Sequence, residues 1–284
     1  MRYTIATFRA EFPDDDACLE AVFQNRFGDL TICPKCGVVD TKFYRVKKRQ
    51  CYACMHCGYQ LFPLAGTVFR KTTTSLWSWF YAIYLFSVSK NGVSAKELER
   101  ALGVTYKTAW RMAHQIRLLM DQGNDLLGGN GELIEADEAY QGGTRRLSVQ
   151  KNKWTNKEPI FGMVERYGRI KAVHVKSTGA RVLHPRIQSS IAAGATIYTD
   201  DARVYTRLDK LGYTHESVNH SVEEYVRGSI HTNTIEGFWS LFKNSIKGTH
   251  HVISPKYLQL YIDEFAFKYN YRHANIFAEL VKRA

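Results

Sequence analysis

Two Cys-x-x-Cys-Gly units, Cys33-Pro34-Lys35-Cys36-Gly37 and Cys54-Met55-His56-Cys57-Gly58, stand near the start of the chain with 17 residues between Cys36 and Cys54. Each unit aims two thiolates at one point, and the glycine that follows tolerates the backbone such a tight turn demands. Two of them complete a closed tetrahedral sulfur site with the spacing of a zinc ribbon, and a closed site holds Zn²⁺ for structure, not catalysis. Five of the six cysteines fall between Cys33 and Cys57, and in a reducing compartment such crowding favours metal over disulfides. The expected ligands are Cys33, Cys36, Cys54 and Cys57. Cys51 offers a rival pair with Cys54, but that pair is followed by Met55 where the others have glycine, and only 14 residues separate it from Cys36. Cys18 stands alone and reads as a core residue.

So small a module leaves most of the chain to be explained. The 284 residues are 45% hydrophobic and 13% aromatic, too rich in large apolar groups for disorder and sufficient for a further domain and a helical module. The apolar run over 77–88 is bounded by Lys71 and Lys90 and falls short of the roughly 18 residues of a membrane helix, which excludes a transmembrane protein. The first residues have neither signal-peptide nor transit character, so the expected location is the cytosol. A net charge of +12 favours a polyanionic partner, and half of that excess sits in residues 61–120, with 8 basic and 2 acidic groups. Lys42, Arg45, Lys47, Lys48 and Arg49, between the cysteine turns, lie on an expected strand pair that either faces phosphate or is a solvated hairpin.

The basic middle reads as helical. Residues 75–89 form a strongly apolar helix, with Thr72 to Thr74 as candidate caps, and Ser94 with Glu97 makes a capping box. Two short helices broken at Gly103, with Leu98, Leu102, Val104, Ala109 and Met112 inward, match a helix-turn-helix pattern. The second helix presents Thr105, Tyr106, Lys107, Thr108 and Arg111 outward, groups suited to phosphates and base edges of a major groove. Lys107 and Arg111 are the expected DNA contacts; an ordinary charged helical hairpin is the alternative.

Beyond Gly128-Gly129-Asn130-Gly131 the periodicity becomes strand-like. Residues 132–138 alternate into an acidic end at Asp137-Glu138, 160–165 and 170–175 form a hairpin, and a helix over 182–193 precedes a strand that ends in Asp200-Asp201. The result is an α/β sheet with acids at strand ends. A third acid, Glu236, lies on an amphipathic helix whose buried stripe is Ile235, Trp239 and Phe242. Lys243, two turns on, emerges on the side of Glu236. Asn233 reads as a helix cap, His231 as a local hydrogen-bonding group and Trp239 as core, with shaping of the DNA path as the alternative for all three. The final helix, 255–271, carries Asp263 and Glu264 as alternative acids, on a helix whose Leu258, Tyr261, Ile262, Phe265 and Tyr269 make a packing face.

With these residues in view, the chain resembles the DDE transposases of bacterial insertion sequences, and most closely the zinc-ribbon-bearing insertion sequence fifteen-ninety-five family (ISXO-like), over nearly its whole length. The resemblance rests on Cys33-Pro34-Lys35-Cys36-Gly37, Asp137-Glu138 with Tyr140-Gln141-Gly142-Gly143, Thr199-Asp200, residues 231–239 around Glu236, Lys243, and residues 261–270. It implies an RNase H-like catalytic domain preceded by a zinc ribbon and a helix-turn-helix, with expected segments 1–65, 66–125 and 130–284. It also implies that Asp137, Asp200 and Glu236 bind the catalytic metal. Where the family has glycine after the second Asp, this chain has Asp201, so Asp200 and Asp201 compete for that role. Hard oxygen ligands select Mg²⁺ or Mn²⁺, and two such ions about 4 Å apart activate the attacking oxygen and stabilise the leaving one in phosphoryl transfer. Lys243 suits a nearby phosphate as a point charge. The implied partners are double-stranded DNA, both element ends and target, and further copies of the chain on that DNA at the bacterial nucleoid. The rival readings are a transposase-derived regulator that binds DNA without chemistry and an RNase H-like nuclease without strand transfer.

Overall fold

The computed structural model describes residues 3–129, 131–142, 157–218 and 231–284; Asn130 of the expected boundary and Gly143 of the signature after Glu138 lie outside them. The chain forms two compact units, one of Met1–Ser89, Val93–Leu119 and Ala274–Ala284, the other of Lys90–Gly92 and Met120–His273. Among the described residues no helix is long and apolar enough to cross a membrane.

The first unit begins with α1 (Ile5–Glu11) and α2 (Asp15–Phe27), capped by Thr4 and Asp14, whose side chains accept N–H bonds from Thr7 and Ala17. A small antiparallel sheet of β1 (Phe43–Arg45), β2 (Tyr52–Cys54) and β3 (Gln60–Leu61) carries the second cysteine turn. Phe23 of α2 stacks on Tyr52 at 3.8 Å between ring centroids, and the Tyr52 hydroxyl donates to Glu20 at 2.6 Å, fixing α2 against this sheet. Helix α3 (Leu76–Val88) is capped by Ser75, not by the preceding threonines. Its residues Trp79, Phe80, Ile83 and Phe86 are fully buried, each contributing about 1.5–3 kcal/mol by leaving water. Phe8, Phe12, Phe80 and Phe277 of the C-terminal helix (Ile276–Arg283) complete an aromatic cluster.

Helices α4 (Ala95–Leu102) and α5 (Tyr106–Leu118) follow. Ser94 accepts from the Glu97 N–H at 3.1 Å and Thr105 from the Thr108 N–H at 3.3 Å. Between the helices Gly103 sits at φ 64°, a left-handed conformation that glycine adopts without steric cost. Leu98, Ala109 and Met112 are fully buried, whereas Leu102 and Val104, expected inward, are only half-buried.

The second unit is a five-stranded mixed sheet in the order β6-β5-β4-β7-β8. It comprises β4 (Ile134–Gln141), β5 (Glu158–Glu165), β6 (Ile170–His174), then α6 (Ala180–Ser190), β7 (Thr196–Asp200) and β8 (Thr214–Val218). Strands β4, β5 and β6 are antiparallel neighbours, while β7 lies parallel to β4 and β8 parallel to β7. Helices α7 (Asn233–Ser245) and α8 (Leu258–Asn270) close the unit. The period of two along each strand divides the core: Ile134, Ala136, Phe161 and Met163 face Leu183 and Ile187 of α6. Ala139, Ile160, Val164 and Ile170 face Phe238, Phe242, Ile262 and Phe265 of α7 and α8. Helix α6 starts and ends earlier than 182–193, since Ile191 is already extended and forms a bridge with Leu127.

Strand β6 is an edge, and its outward backbone groups are covered by side-chain amides. Gln122 donates to and accepts from Ala172 at 2.8 Å on both sides, Asn270 does the same with Ile170, and Gln259 accepts from the His174 N–H. Three amides thus occupy the positions a further strand would use, one way of blunting an edge against aggregation.

Candidate functional site

Each cysteine turn closes in the same way. The Gly37 N–H donates to the Cys33 carbonyl and the Gly58 N–H to the Cys54 carbonyl, both at 3.0 Å, with the two glycines at φ 70° and 69°. The sulfurs of Cys33, Cys36, Cys54 and Cys57 all lie within 4.8 Å of one another, with Cys33–Cys57 at 3.7 Å and Cys36–Cys54 at 4.0 Å. A tetrahedron with Zn–S of about 2.3 Å has edges of about 3.8 Å, so the four-cysteine cluster fits a structural zinc. The Thr41 hydroxyl, 3.4 Å away, leads the interactions that push the Cys54 thiol down to about 6, towards the thiolate a metal requires. Cys51 is fully buried and lies outside this cluster. Arg45 is engaged internally, bonded to Asp16 at 2.8 Å and to the carbonyls of Val46 and Arg49, so it is not displayed for phosphate.

The acids of the second unit are brought together by strand register. Ile134 pairs with Ile197 and Glu135 with Tyr198, and the same offset carried forward sets Asp137 level with Asp200. Carboxylate oxygens of Asp137, Glu138 and Asp200 lie within 4.8 Å of one another. Asp200 accepts from the Ala202 N–H at 3.1 Å, whereas Asp201 is exposed and outside the set. Glu236, on the first turn of α7, is also outside it; its carboxylate accepts from the Thr232 hydroxyl at 2.8 Å. Burial, and then the charges of Asp200 and Glu236, push Asp137 up to about 6. Burial and the neighbouring Asp200 and Asp137 push Glu138 up to about 7, against the hydrogen bond from Tyr205 at 2.7 Å. Crowded hard-oxygen donors of this kind fit a divalent cation, which relieves their mutual repulsion. Lys243 is exposed on α7, two turns from Glu236.

Glu138 was only part of an acidic strand end in the sequence, yet it completes the close set with Asp137 and Asp200. Alternation sends Asp137 towards α7 and Glu138 towards Tyr205, and both reach the strand end where Asp200 stands. Trp239 is buried as expected, but it also donates from its indole nitrogen to Asp137 at 3.1 Å. The cross-strand partner of Asp137 is Gly162, where an added Cβ would meet the Trp239 ring at 2.5 Å. The bare backbone there admits the indole that orients Asp137; a lone glycine in an apolar strand was the available signal. Asn233 begins α7 but does not cap it, since Thr232 is the cap residue.

A second unanticipated group is Glu135, whose side chain is fully buried. It accepts from the N–H groups of Thr234 and Ile235 at 2.8 and 3.1 Å and pairs with Arg166 at 2.8 Å, with His231 Nδ1 at 3.4 Å. Two residues before Asp137, it therefore ties β4 to the N-terminus of the helix that bears Glu236, where a negative charge is favoured. Glu135→Ala is expected to destabilise this unit by about 3–5 kcal/mol, because a nearly buried guanidinium loses its counter-charge. Denaturant unfolding monitored by far-ultraviolet circular dichroism measures it, with Glu135→Gln expected to lose less. Asp263 and Glu264 are occupied elsewhere: Asp263 accepts from Gln122 and Gln259, and Glu264 pairs with Lys268.

On α5, Lys107 and Arg111 are both exposed, one turn apart. The Arg111 guanidinium lies 5.9 Å from the centroid of the Trp79 ring, a cation–π contact that limits its freedom.

A mixed α/β unit with carboxylates gathered at the ends of two adjacent parallel strands, in a chain that also carries a four-cysteine module, has the parts of a DNA-transposing protein. Residues 127–270 match the family model of the ISXO2-like transposase domain, and residues 13–60 match the transposase zinc-ribbon domain. The chain belongs to this family of insertion-sequence transposases. It is 29% identical over 268 residues to an uncharacterized protein in the transposable element ISH50 of Halobacterium salinarum, an alignment covering 86% of this chain and 87% of that one.

Proposed function

We propose that the chain binds the ends of an insertion sequence as double-stranded DNA and catalyses divalent-metal-dependent strand cleavage and strand transfer. The observation that carries this reading is the meeting of Asp137 and Asp200 within 4.8 Å, with Glu236 near enough to raise Asp137. The sheet order, with a parallel β4–β7 pair bearing those acids and helices on both faces, reads as an RNase H-like fold. Asp137, Asp200 and Glu236 would hold Mg²⁺ or Mn²⁺, with Glu138 beside them. When bound, such ions activate the attacking water or 3′-hydroxyl and stabilise the leaving oxygen. Trp239 holds the Asp137 carboxylate in place, Glu135 fixes the helix of Glu236, and Lys243 offers its ammonium to a DNA phosphate. Segments 1–65, 66–125 and 130–284 act as zinc ribbon, helix-turn-helix reader and catalytic domain, the last of them without residues 274–284, which belong to the first unit, and with further copies of the chain assembling on the DNA. The test is incubation of the protein with duplex carrying the element's ends, with Mg²⁺, Mn²⁺ or EDTA. Metal-dependent cuts at the ends and joined products are expected. Binding without cutting under either metal leaves a DNA-binding regulator.

In the same reading α5 is the DNA reader. Losing Lys107 is expected to weaken all sequences alike and to make the salt slope shallower by about 1, as one phosphate contact is lost. Arg111→Ala is expected to lose about 1–3 kcal/mol of discrimination between end and scrambled DNA, from a bidentate contact to guanine. Binding titrations at several salt concentrations decide both; unchanged affinity and slope in the Lys107→Ala/Arg111→Ala double variant would make this pair a packing hairpin.

A further inference from the structure

Between α6 and the turn that follows β7 lies an open cavity of about 560 Å³, lined among others by Arg181, His184, Gln188, Arg203, Thr206 and Arg207. Among the described residues no acidic side chain lines it. Arg181, Arg203 and Arg207 are exposed, and among the described residues none of their guanidinium groups takes part in an ion pair or hydrogen bond. Three planar cations gathered on one concave surface, with no counter-charge among the described residues, cost repulsion that an anion would relieve, and their forks match phosphate oxygens bidentately. His184 is held in the wall by its Nε2 bond to the Val204 carbonyl at 2.8 Å, which ties α6 to this turn.

The turn is shared with the acids. Its residues Arg203–Tyr205 begin three positions after Asp200. Asp200 receives the Ala202 N–H, and the Tyr205 hydroxyl donates to Glu138 at 2.7 Å. One short 3₁₀ turn therefore contacts the acid cluster through Tyr205 and lines the basic cavity through Arg203. We infer that this cavity is a clamp for the sugar–phosphate backbone of the DNA strand being processed, seating phosphates beyond the one at the acids. The inference rests on the reading of the chain as a DNA-cleaving transposase and adds to it a DNA-holding surface separate from α5. DNA is the occupant favoured over an acidic protein because the cavity wall includes the 3₁₀ turn that also contacts the acids, so a strand seated at those acids would run on past the three guanidinium forks.

The experiment uses the full chain as wild type, as Arg181→Ala/Arg203→Ala/Arg207→Ala, and with the same three positions changed to Lys. Fluorescence anisotropy with end-bearing duplex in EDTA, at several salt concentrations, gives affinity and salt slope; cleavage with Mg²⁺ and with Mn²⁺ is followed in parallel. Each neutralised phosphate contributes about 0.9 to the slope, so the Ala variant is expected to be shallower by about 2 to 3, with weaker binding and slower cleavage. The Lys variant is expected to keep the slope, because an ammonium neutralises a phosphate as well as a guanidinium does. A wild type that binds and cuts, alongside an Ala variant with unchanged affinity and slope, overturns the clamp alone. A wild type that binds duplex but cuts with neither metal overturns the transposase reading, while a shallower slope in the Ala variant would still uphold the surface. A wild type that binds no duplex overturns both. Capture of an acidic peptide with no change in the DNA slope would assign the surface to a protein partner instead.

Discussion

Replacing Asp137, Asp200 or Glu236 with Ala is expected to abolish cleavage of end-bearing DNA while leaving its affinity in EDTA within about twofold. Metal ions supply several kcal/mol of transition-state stabilisation in phosphoryl transfer, and each 1.36 kcal/mol is tenfold in rate, so losing a ligand should cost on the order of 10³-fold or more. Asp201→Ala is the control that discriminates: Asp201 is exposed and outside the acid set, so this variant should cut normally. Normal cutting by Asp200→Ala together with a dead Asp201→Ala would exchange the two roles. Protons compete for the same oxygens. With Asp137 raised to about 6 and Glu138 to about 7, Mn²⁺ affinity measured by calorimetry should fall as pH drops through 7 and then 6, and level off above about 8. The stability of the metal-free protein should run the other way. Both groups hold their protons more tightly folded than unfolded, so the stability this confers is fully present at low pH and is lost as pH rises through 6 and 7.

How much of this was legible in the sequence follows from which residues announce themselves locally. The cysteine turns, the α4–α5 pair with Gly103 between them and the strands ending in acids are local patterns, and each appears where its periodicity and turn residues placed it. The pairing of β4 with β7 is not local, because no alternation within a strand tells which strand will lie beside it. The contact of Asp137 with Asp200 was reachable only through the family resemblance. Glu135 escaped for a different reason. On an alternating strand a buried carboxylate and a solvated one look alike, and what distinguishes Glu135 is Arg166 and the N-terminus of α7, both distant in sequence. Arg45 failed in the opposite direction: a charge in a basic run reads as displayed, yet Asp16 and two carbonyls engage it.

Removing the zinc, or replacing any one of Cys33, Cys36, Cys54 and Cys57 with Ser, is expected to unfold the segment from Cys33 to Leu61. The three strands there have only two or three residues each and pair through few hydrogen bonds, too little to hold a sheet without a staple. Structural zinc supplies about 10–16 kcal/mol of apparent binding energy in such modules, and since the site does not exist in the unfolded chain, that energy is folding energy. The stacking of Phe23 on Tyr52 and the bond from Tyr52 to Glu20 should be lost with it, so α2 is expected to loosen as well. Hydrogen exchange followed by mass spectrometry, with and without a zinc chelator, should show protection collapsing over residues 33–61 while the strands of the second unit keep theirs. Cys51→Ala separates ligand from packing: its thiol is fully buried but outside the four-sulfur cluster. This variant should retain one zinc per chain by metal analysis and lose only the modest stability of a vacated buried sulfur. A Cys51→Ala protein without zinc, beside a Cys57→Ser protein that keeps it, would move the fourth ligand to Cys51 and redraw the second turn.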